Sequence, residues 1–346
     1  MNFYEGKRVF ITGHTGFKGS YLAKMLSMLG ANVTGYALVP EEESVFNILK
    51  IENEITSHIG DVRDFDSLYD AYKKAQPEIV FHLAAQPLVI ESYKNPLYTY
   101  ETNVMGTANL MECVRLLGAK SVVNVTTDKV YKNREWEWGY RENEALDGFD
   151  PYSNSKSCSE LVTATYRRSF LDEKNISVST MRAGNVIGGG DFAKDRIIPD
   201  CVRAMREKRE IVLRNPNSTR PFQHVFEPLS AYMAVAEAQY DNFSLSGSYN
   251  VGPEESDCVT AGNLADLFVK FWGEGASWRC EENSVFHEAS FLKLDNSKIK
   301  KVFGIRNVWN IEQAVEKCVE WTKAYFSGED MTKVTEEEIT SFWEEK

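Results

Sequence analysis

Lys7-Arg8-Val9-Phe10-Ile11-Thr12-Gly13-His14-Thr15-Gly16-Phe17-Lys18-Gly19 is the stretch on which the reading of the fold turns. Its apolar first half predicts a short buried strand, and three glycines spaced three apart follow at once. From Ser20 to Leu29 the chain has helical periodicity and stops at Gly30. A glycine triplet alone is an ordinary tight turn; between a strand and a helix it has the context of a dinucleotide-binding turn. There Gly13 permits the sharp turn, Gly16 lets a pyrophosphate approach the backbone, and Gly19 lets the helix lie close to the strand. The phosphates would sit at the helix N-terminus. His14, Thr15, Phe17 and Lys18 share this turn and are candidate cofactor contacts, Lys18 either meeting phosphate or standing solvated on the first turn.

Working outward, the next strand ends Ala37-Leu38-Val39-Pro40, with neither an acid for the ribose 2′-hydroxyl of NAD nor an arginine for the phosphate of NADP. The choice between the two stays open on this ground. Asp61 and Val62 follow a third strand; Asp61 either accepts from the adenine amine or caps the helix starting near Phe65. Glu78 to Ala85 reads as a strand running into the small residues Leu83-Ala84-Ala85, against which a flat cofactor can lie, and Asn103 opens a further helix. Strand–helix alternation of this kind predicts a Rossmann-type doubly wound parallel sheet. The expected division is residues 1–185 as mainly the NAD-binding domain, also receiving later segments such as 220–252, and 186–346 as mainly a smaller substrate-binding lobe.

The chain has 346 residues, 43% hydrophobic and 26% charged, ordinary values for a globular enzyme. A net charge of −12 disfavours nucleic acid or an anionic membrane as partner. The six cysteines form no C-x-x-C pair, so neither a metal site nor a disulfide framework is expected. Without an apolar run of spanning length or a secretion-type N-terminus, the expected location is the cytoplasm.

Chemistry is concentrated in two strings. The strand Ser121 to Thr126 delivers Thr127-Asp128-Lys129 at its C-terminal end, the edge where ligands of parallel sheets collect. After a polar, aromatic loop (Trp136 to Glu144), expected to cover the site, Pro151 starts a helix bearing Tyr152 and, one turn later, Lys156. A phenol beside an ammonium can take a proton from a hydroxyl being oxidised, and Asp128 adds an acid that simple dehydrogenation does not require. Oxidation coupled to elimination follows.

Gly13-x-x-Gly16-x-x-Gly19, Asn103 and Tyr152-x-x-x-Lys156 resemble the extended short-chain dehydrogenase/reductases that modify nucleotide-linked sugars. Gly13 to Ser20, Thr127 to Tyr131, Arg182 to Asp191 and Arg220 to Leu229 resemble in particular the CDP-glucose 4,6-dehydratases, from about Gly6 to about Tyr325. The resemblance implies NAD as cofactor, CDP-glucose as substrate and a homodimer or homotetramer. It also implies catalytic roles for Thr127, Asp128, Lys129, Tyr152 and Lys156, with Thr126 and Asn103 at the cofactor. Lys129 stands where dTDP-sugar enzymes usually carry Glu; it acts as the base at carbon 5, or orients Asp128 while another group takes the proton. Gln86, Asn185, Arg196, Arg220, His224 and Tyr249 are the expected substrate contacts, Arg196 and Arg220 as diphosphate ligands or else as surface ion pairs. His224 and His287 lack a spaced partner for a metal. The sequence departs from many relatives at Ile90-Glu91, where a basic residue is common. The alternatives are a dehydratase or 4-epimerase for another nucleotide sugar, and a catalytically silent nucleotide-sugar-binding protein.

Overall fold

In the computed structural model, which describes residues 3–281 and 291–346, strand and helix alternate through the first half of the chain. In order these are β1 (Arg8–Thr12), α1 (Phe17–Met28), β2 (Asn32–Ala37), α2 (Val45–Ile48), β3 (Thr56–Ile59), α3 (Phe65–Ala75), β4 (Ile79–His82), α4 (Val89–Lys94), α5 (Pro96–Tyr100), α6 (Gly106–Leu117), β5 (Ser121–Thr127), α7 (Pro151–Tyr166) and β6 (Ser177–Ala183). Shorter strands then intervene: β7 (Val186–Ile187), α8 (Ile197–Arg206), β8 (Ile211–Leu213), β9 (Thr219–Arg220), β10 (Gln223–His224), α9 (Phe226–Tyr240), β11 (Ser248–Val251), β12 (Val259–Thr260), α10 (Ala261–Trp272) and β13 (Trp278–Cys280). Helices α11 (Ser297–Phe303), α12 (Ile311–Ser327) and α13 (Met331–Glu345) complete the fold. Among the described residues no helix is long and apolar enough to cross a membrane.

Seven strands form one sheet in the order β11-β6-β5-β4-β1-β2-β3, every pair parallel. From β1 the chain builds β2 and β3 on one side, then crosses back to build β4, β5 and β6 on the other. The crevice beyond the carboxyl ends of β1 and β4 is therefore the switch point where such sheets bind ligands.

Alternation along the strands covers both faces. Val9, Ile11, Ile79, Phe81, Val123 and Val125 enter a core with Leu22, Leu26, Phe226 and Leu229, whereas Phe10, Val80 and Val122 enter a second core with Leu68, Tyr72, Leu110 and Val114. Sheets buried on both faces need such continuous apolar runs, each fully buried Val, Ile or Phe contributing about 1.5–3 kcal/mol. A third core, including Val202, Leu213, Leu264, Phe268 and Val315, holds α8, α10 and part of α12 together as the second lobe. The late strand β11 closes the large sheet at its edge. Trp321, Ile339 and Phe342 also belong to the first core, so the C-terminal helices bridge the lobe and the sheet domain.

Two positions of the glycine turn leave no room for a side chain. Gly13 has φ +80°, and a Cβ there would stand 2.7 Å from the Ala84 amide nitrogen; one on Gly19 would stand 2.0 Å from the Gly13 carbonyl oxygen. Gly19→Ala is expected to destabilise the chain by about 1–3 kcal/mol through overpacking. Urea unfolding would read this, and a parallel nicotinamide titration should show weakened binding; wild-type values in both would remove the argument for close packing.

Candidate active site

The carboxyl ends of β1, β4 and β5 open into a cleft of about 510 Å³ that runs from the glycine turn to the second lobe. Gly13, Thr15, Gly16, Phe17, Lys18 and Gly19 line one end, with Asp61, Val62, Leu83, Ala84 and Ala85. Helix α1 begins here with no side-chain cap and no acid in its first turn. Its first N–H groups lack intrahelical partners by construction, and the end is electropositive, so the turn fits a dinucleotide diphosphate. Asp64, accepting from the Ser67 amide, caps α3. Asp61, freed of that task, lines the cleft and is held by the Arg63 backbone and guanidinium at 2.7–2.9 Å. Lys18, half-buried, lines the cleft. Burial chiefly, then Arg196, with Lys156 and Lys129 beside it, pulls its ammonium down to about 7 against the pull of Asp128.

Two expected cofactor contacts stand behind this wall. His14 is fully buried under the turn, its Nε2 2.7 Å from Ser57 Oγ; burial pushes it down to about 4, so it is neutral packing. Asn103 does not line the cleft either. Its Oδ1 accepts from the Gln86 amide (2.8 Å) and its Nδ2 donates to the Gln86 carbonyl (3.1 Å) and Ser155 Oγ (2.9 Å), tying the loop after β4 to α7. Amide side chains with both ends satisfied this way are structural struts.

At the middle of the cleft Thr126, Thr127, Asp128 and Lys129 from β5 and the turn after it meet Tyr152 and Lys156 from α7. Asp150 caps α7 by accepting from the Ser153 amide, and Pro151 begins it, which aims the first turn into the cleft. Lys156 Nζ donates to the Val125 carbonyl at 3.0 Å. Burial lowers this ammonium to about 8, with Glu160 one turn along opposing the shift. Tyr152 departs from the expected acidification: burial pushes its phenol up to about 12, with Thr127 opposing and Asp128 adding to the rise. Asp128 is 1% exposed; Oδ1 accepts from Thr127 Oγ1 at 2.9 Å and lies 3.6 Å from Lys129 Nζ. Its Oδ2 is buried without a hydrogen-bond partner among the described residues.

The far end is lined by Asn185, Arg196 and Arg220, as expected of substrate contacts. Arg196 Nη1 donates to Asp191 Oδ2 at 2.9 Å, Arg220 Nη1 to the Thr219 carbonyl at 3.0 Å, and Asn185 Oδ1 is buried without a partner among the described residues. Three other expected contacts lie elsewhere. Gln86 folds its amide onto Leu88 and Thr99. His224, pushed down to about 3 by burial, packs between Phe226 and Trp309 with Nε2 3.6 Å from Glu338. Tyr249 donates to the Leu245 carbonyl (2.6 Å) at the outer edge of the sheet. His287 lies outside the described residues. The loop Trp136 to Glu144 does not line the cleft among the described residues; Trp136 stacks on Tyr140, which stacks on Tyr131. Sequence reading also missed Tyr98, Thr102, Arg214 and Ser218 in the lining. The turn residues Asn215-Pro216-Asn217 were the available signal for the last two.

Comparison with known proteins places the chain by family and by fold. The family model described as GDP-mannose 4,6 dehydratase matches residues 10–318. A CDP-glucose 4,6-dehydratase of Salmonella typhimurium is 48% identical over 349 residues, 99% of this chain and 97% of its own length. A dTDP-D-glucose 4,6-dehydratase of Dictyostelium discoideum is 25% identical over 72% of this chain and 58% of its own. Among solved structures, a dTDP-glucose 4,6-dehydratase of Bacillus anthracis in complex with NAD superposes with a TM-score of 0.79 at 20% identity, covering 95% of this chain and 99% of its own. A UDP-glucose 4-epimerase of Thermotoga maritima with UDP-glucose gives 0.80 at 19% identity, covering 92% and 99%. At such identities the two structures speak for the fold alone.

Proposed function

Because the chain belongs to the nucleotide-sugar 4,6-dehydratase family of the short-chain dehydrogenase/reductases, we infer that it converts CDP-glucose to CDP-4-keto-6-deoxyglucose. The reaction comprises oxidation at carbon 4, loss of water across carbons 5 and 6, and hydride return to carbon 6. The inferred working form is a cytoplasmic homodimer or homotetramer. The observation that carries the reading is Asp128, a buried carboxyl group with one unpartnered oxygen in the same cleft as Tyr152 and Lys156. Oxidation or 4-epimerisation needs only a proton acceptor at carbon 4; an acid is needed where a hydroxyl must leave. A silent binding protein would need neither.

The glycine turn Gly13, Gly16 and Gly19 would hold NAD, which when bound would supply a hydride acceptor regenerated within the turnover, so that no net oxidant would be consumed. Tyr152 takes the carbon-4 hydroxyl proton while Thr127 hydrogen-bonds the same oxygen. The ketone acidifies the carbon-5 proton, which a water takes, and Asp128 gives its own proton to the departing carbon-6 hydroxyl, which leaves as water; a proton returns to carbon 5 as hydride returns to carbon 6. Lys129 sits within ion-pair reach of Asp128, which supports the orienting role over that of carbon-5 base. Arg196 and Arg220 offer paired donors to the diphosphate, Arg196 by leaving Asp191.

Incubation with NAD and each of CDP-, dTDP-, UDP- and GDP-glucose, followed by the alkali-induced absorbance of 4-keto-6-deoxy sugars, should give product from CDP-glucose. Preferred turnover of another nucleotide would overturn the substrate assignment.

A further inference from the structure

Thr126 and Arg182 stand opposite each other on β5 and β6, and one carboxylate from α7, Glu160, joins them. Its Oε1 accepts from Thr126 Oγ1 (2.5 Å) and Arg182 Nε (3.0 Å); its Oε2 accepts from Arg182 Nη2 and Thr180 Oγ1, both at 2.8 Å. The side chains of Glu160 and Arg182 are 2% and 4% exposed. On its other side Arg182 Nη1 donates to Tyr131 Oη (2.8 Å) and the Glu142 carbonyl (2.9 Å), with the guanidinium 5.1 Å from the Tyr131 ring centre. Tyr131 Oη donates in turn to Asn250 Oδ1 at 2.6 Å. Thr126 and Tyr131 flank Thr127-Asp128-Lys129-Val130. The ion pair thus grips both ends of the segment that carries the acid.

Stability alone does not explain so sealed a pair, because desolvating two charges costs several kcal/mol each and apolar replacement is often neutral or better. A directional hydrogen-bond pattern is what apolar residues cannot supply. We propose that the Glu160–Arg182 pair is a positioning device for the reaction. It clamps Thr126 and Tyr131 so that Thr127, Asp128 and Lys129 are held at a fixed place over α7, and it supplies the anion facing Lys156. The proposal rests on the dehydratase reading above. Lys156 is faced by Tyr152 and Glu160 from its own helix, by His82 of β4 and by Lys18 of α1. Burial pushes His82 down to about 3 and Tyr152 up to about 12, so both are neutral near pH 7, and Glu160 is the group that opposes the lowering of Lys156.

Glu160→Gln keeps the shape and removes the charge. Its kcat for CDP-glucose should fall about 10²-fold, the cost of misplacing reacting groups by about 1 Å, with KM nearly unchanged. The alkaline limb of its kcat profile, where Lys156 loses its proton, should move to lower pH, because the charge that favoured the ammonium is gone; Glu160→Asp should bring the limb back. Tyr131→Phe releases only the far flank and serves where Glu160→Gln folds poorly. It should lower kcat with the limb unmoved, measured below the melting temperature of the variant, which the unpartnered Asn250 Oδ1 will lower. A wild-type kcat in Tyr131→Phe, or a Glu160→Gln enzyme with an unmoved limb, would overturn the proposal. Wild-type enzyme run alongside keeps the two readings apart: its failure to form product counts against the proposed function, whereas a deficit or its absence in the variants judges the clamp.

Discussion

Asp128→Asn should stop dehydration and leave hydride removal at carbon 4 visible. Mixed with NAD and CDP-glucose in a single turnover, the variant is expected to show reduced nicotinamide absorbance that persists, with 4-keto-6-deoxy product falling about 10²–10⁴-fold, the usual worth of a positioned general acid. The geometry makes this a clean substitution. An amide keeps the volume of the carboxyl group and can still accept from Thr127 Oγ1, as Asp128 Oδ1 does at 2.9 Å. The other oxygen is the buried one without a partner among the described residues, so an amino group there breaks no existing bond. What is lost is the group able to give the proton, and with it the carboxylate that pairs with Lys129 Nζ, 3.6 Å away, once the proton has been given. Tyr152 and Lys156 stay on α7, held by contacts that do not pass through Asp128. Loss of nicotinamide reduction together with dehydration would mean that Asp128 shapes the whole site. Undiminished product would remove it from the mechanism.

The sheet and its switch point were legible because period-two alternation and glycine punctuation are local signals. Gly19 must be glycine because of the Gly13 carbonyl six residues away, Gly13 has the left-handed backbone of a tight turn, and Asp150-Pro151 announces a helix start within its own turn. The residues misread share a different property. His14, Gln86, Asn103 and His224 are polar groups close in sequence to cleft residues, yet each has a partner on another element. Whether a side chain beside a motif faces ligand or core depends on which neighbour it meets across the fold, and spacing along one chain does not report that. Lys18 shows the converse. A lysine in a first helical turn is ordinarily solvated, and only the approach of Arg196 at the start of α8 and of Asp128 in the turn after β5 makes it part of the reaction centre. The Glu160–Arg182 pair was invisible for the same reason, since its meaning lies in the β5–β6 register that sets Thr126 opposite Arg182.

Tyr152→Phe should reduce the first step itself, lowering nicotinamide reduction about 10²–10⁴-fold in a single turnover, because it removes the group assigned to take the carbon-4 proton. The buried phenol holds its proton up to about pH 12, so near neutrality only a small fraction is ready to accept one. In the wild type the rate of hydride removal is therefore expected to rise with pH through the neutral range. It should level off as Lys156, lowered to about 8, loses the charge that supports the phenolate. Removing the phenol removes the rise, and the variant should show a low and flat profile. Stability gives the control, with its sign fixed by the same shift. A tyrosine raised above its ordinary value contributes stability that is fully present below about pH 10 and is lost as pH climbs toward about 12, so wild-type stability should fall across that window and that of Tyr152→Phe should not. Unchanged melting at pH 7 with a flattened rate profile assigns the loss to chemistry. Retention of the rise in Tyr152→Phe would place the base elsewhere in the cleft and leave the Tyr152–Lys156 pair with a binding role alone.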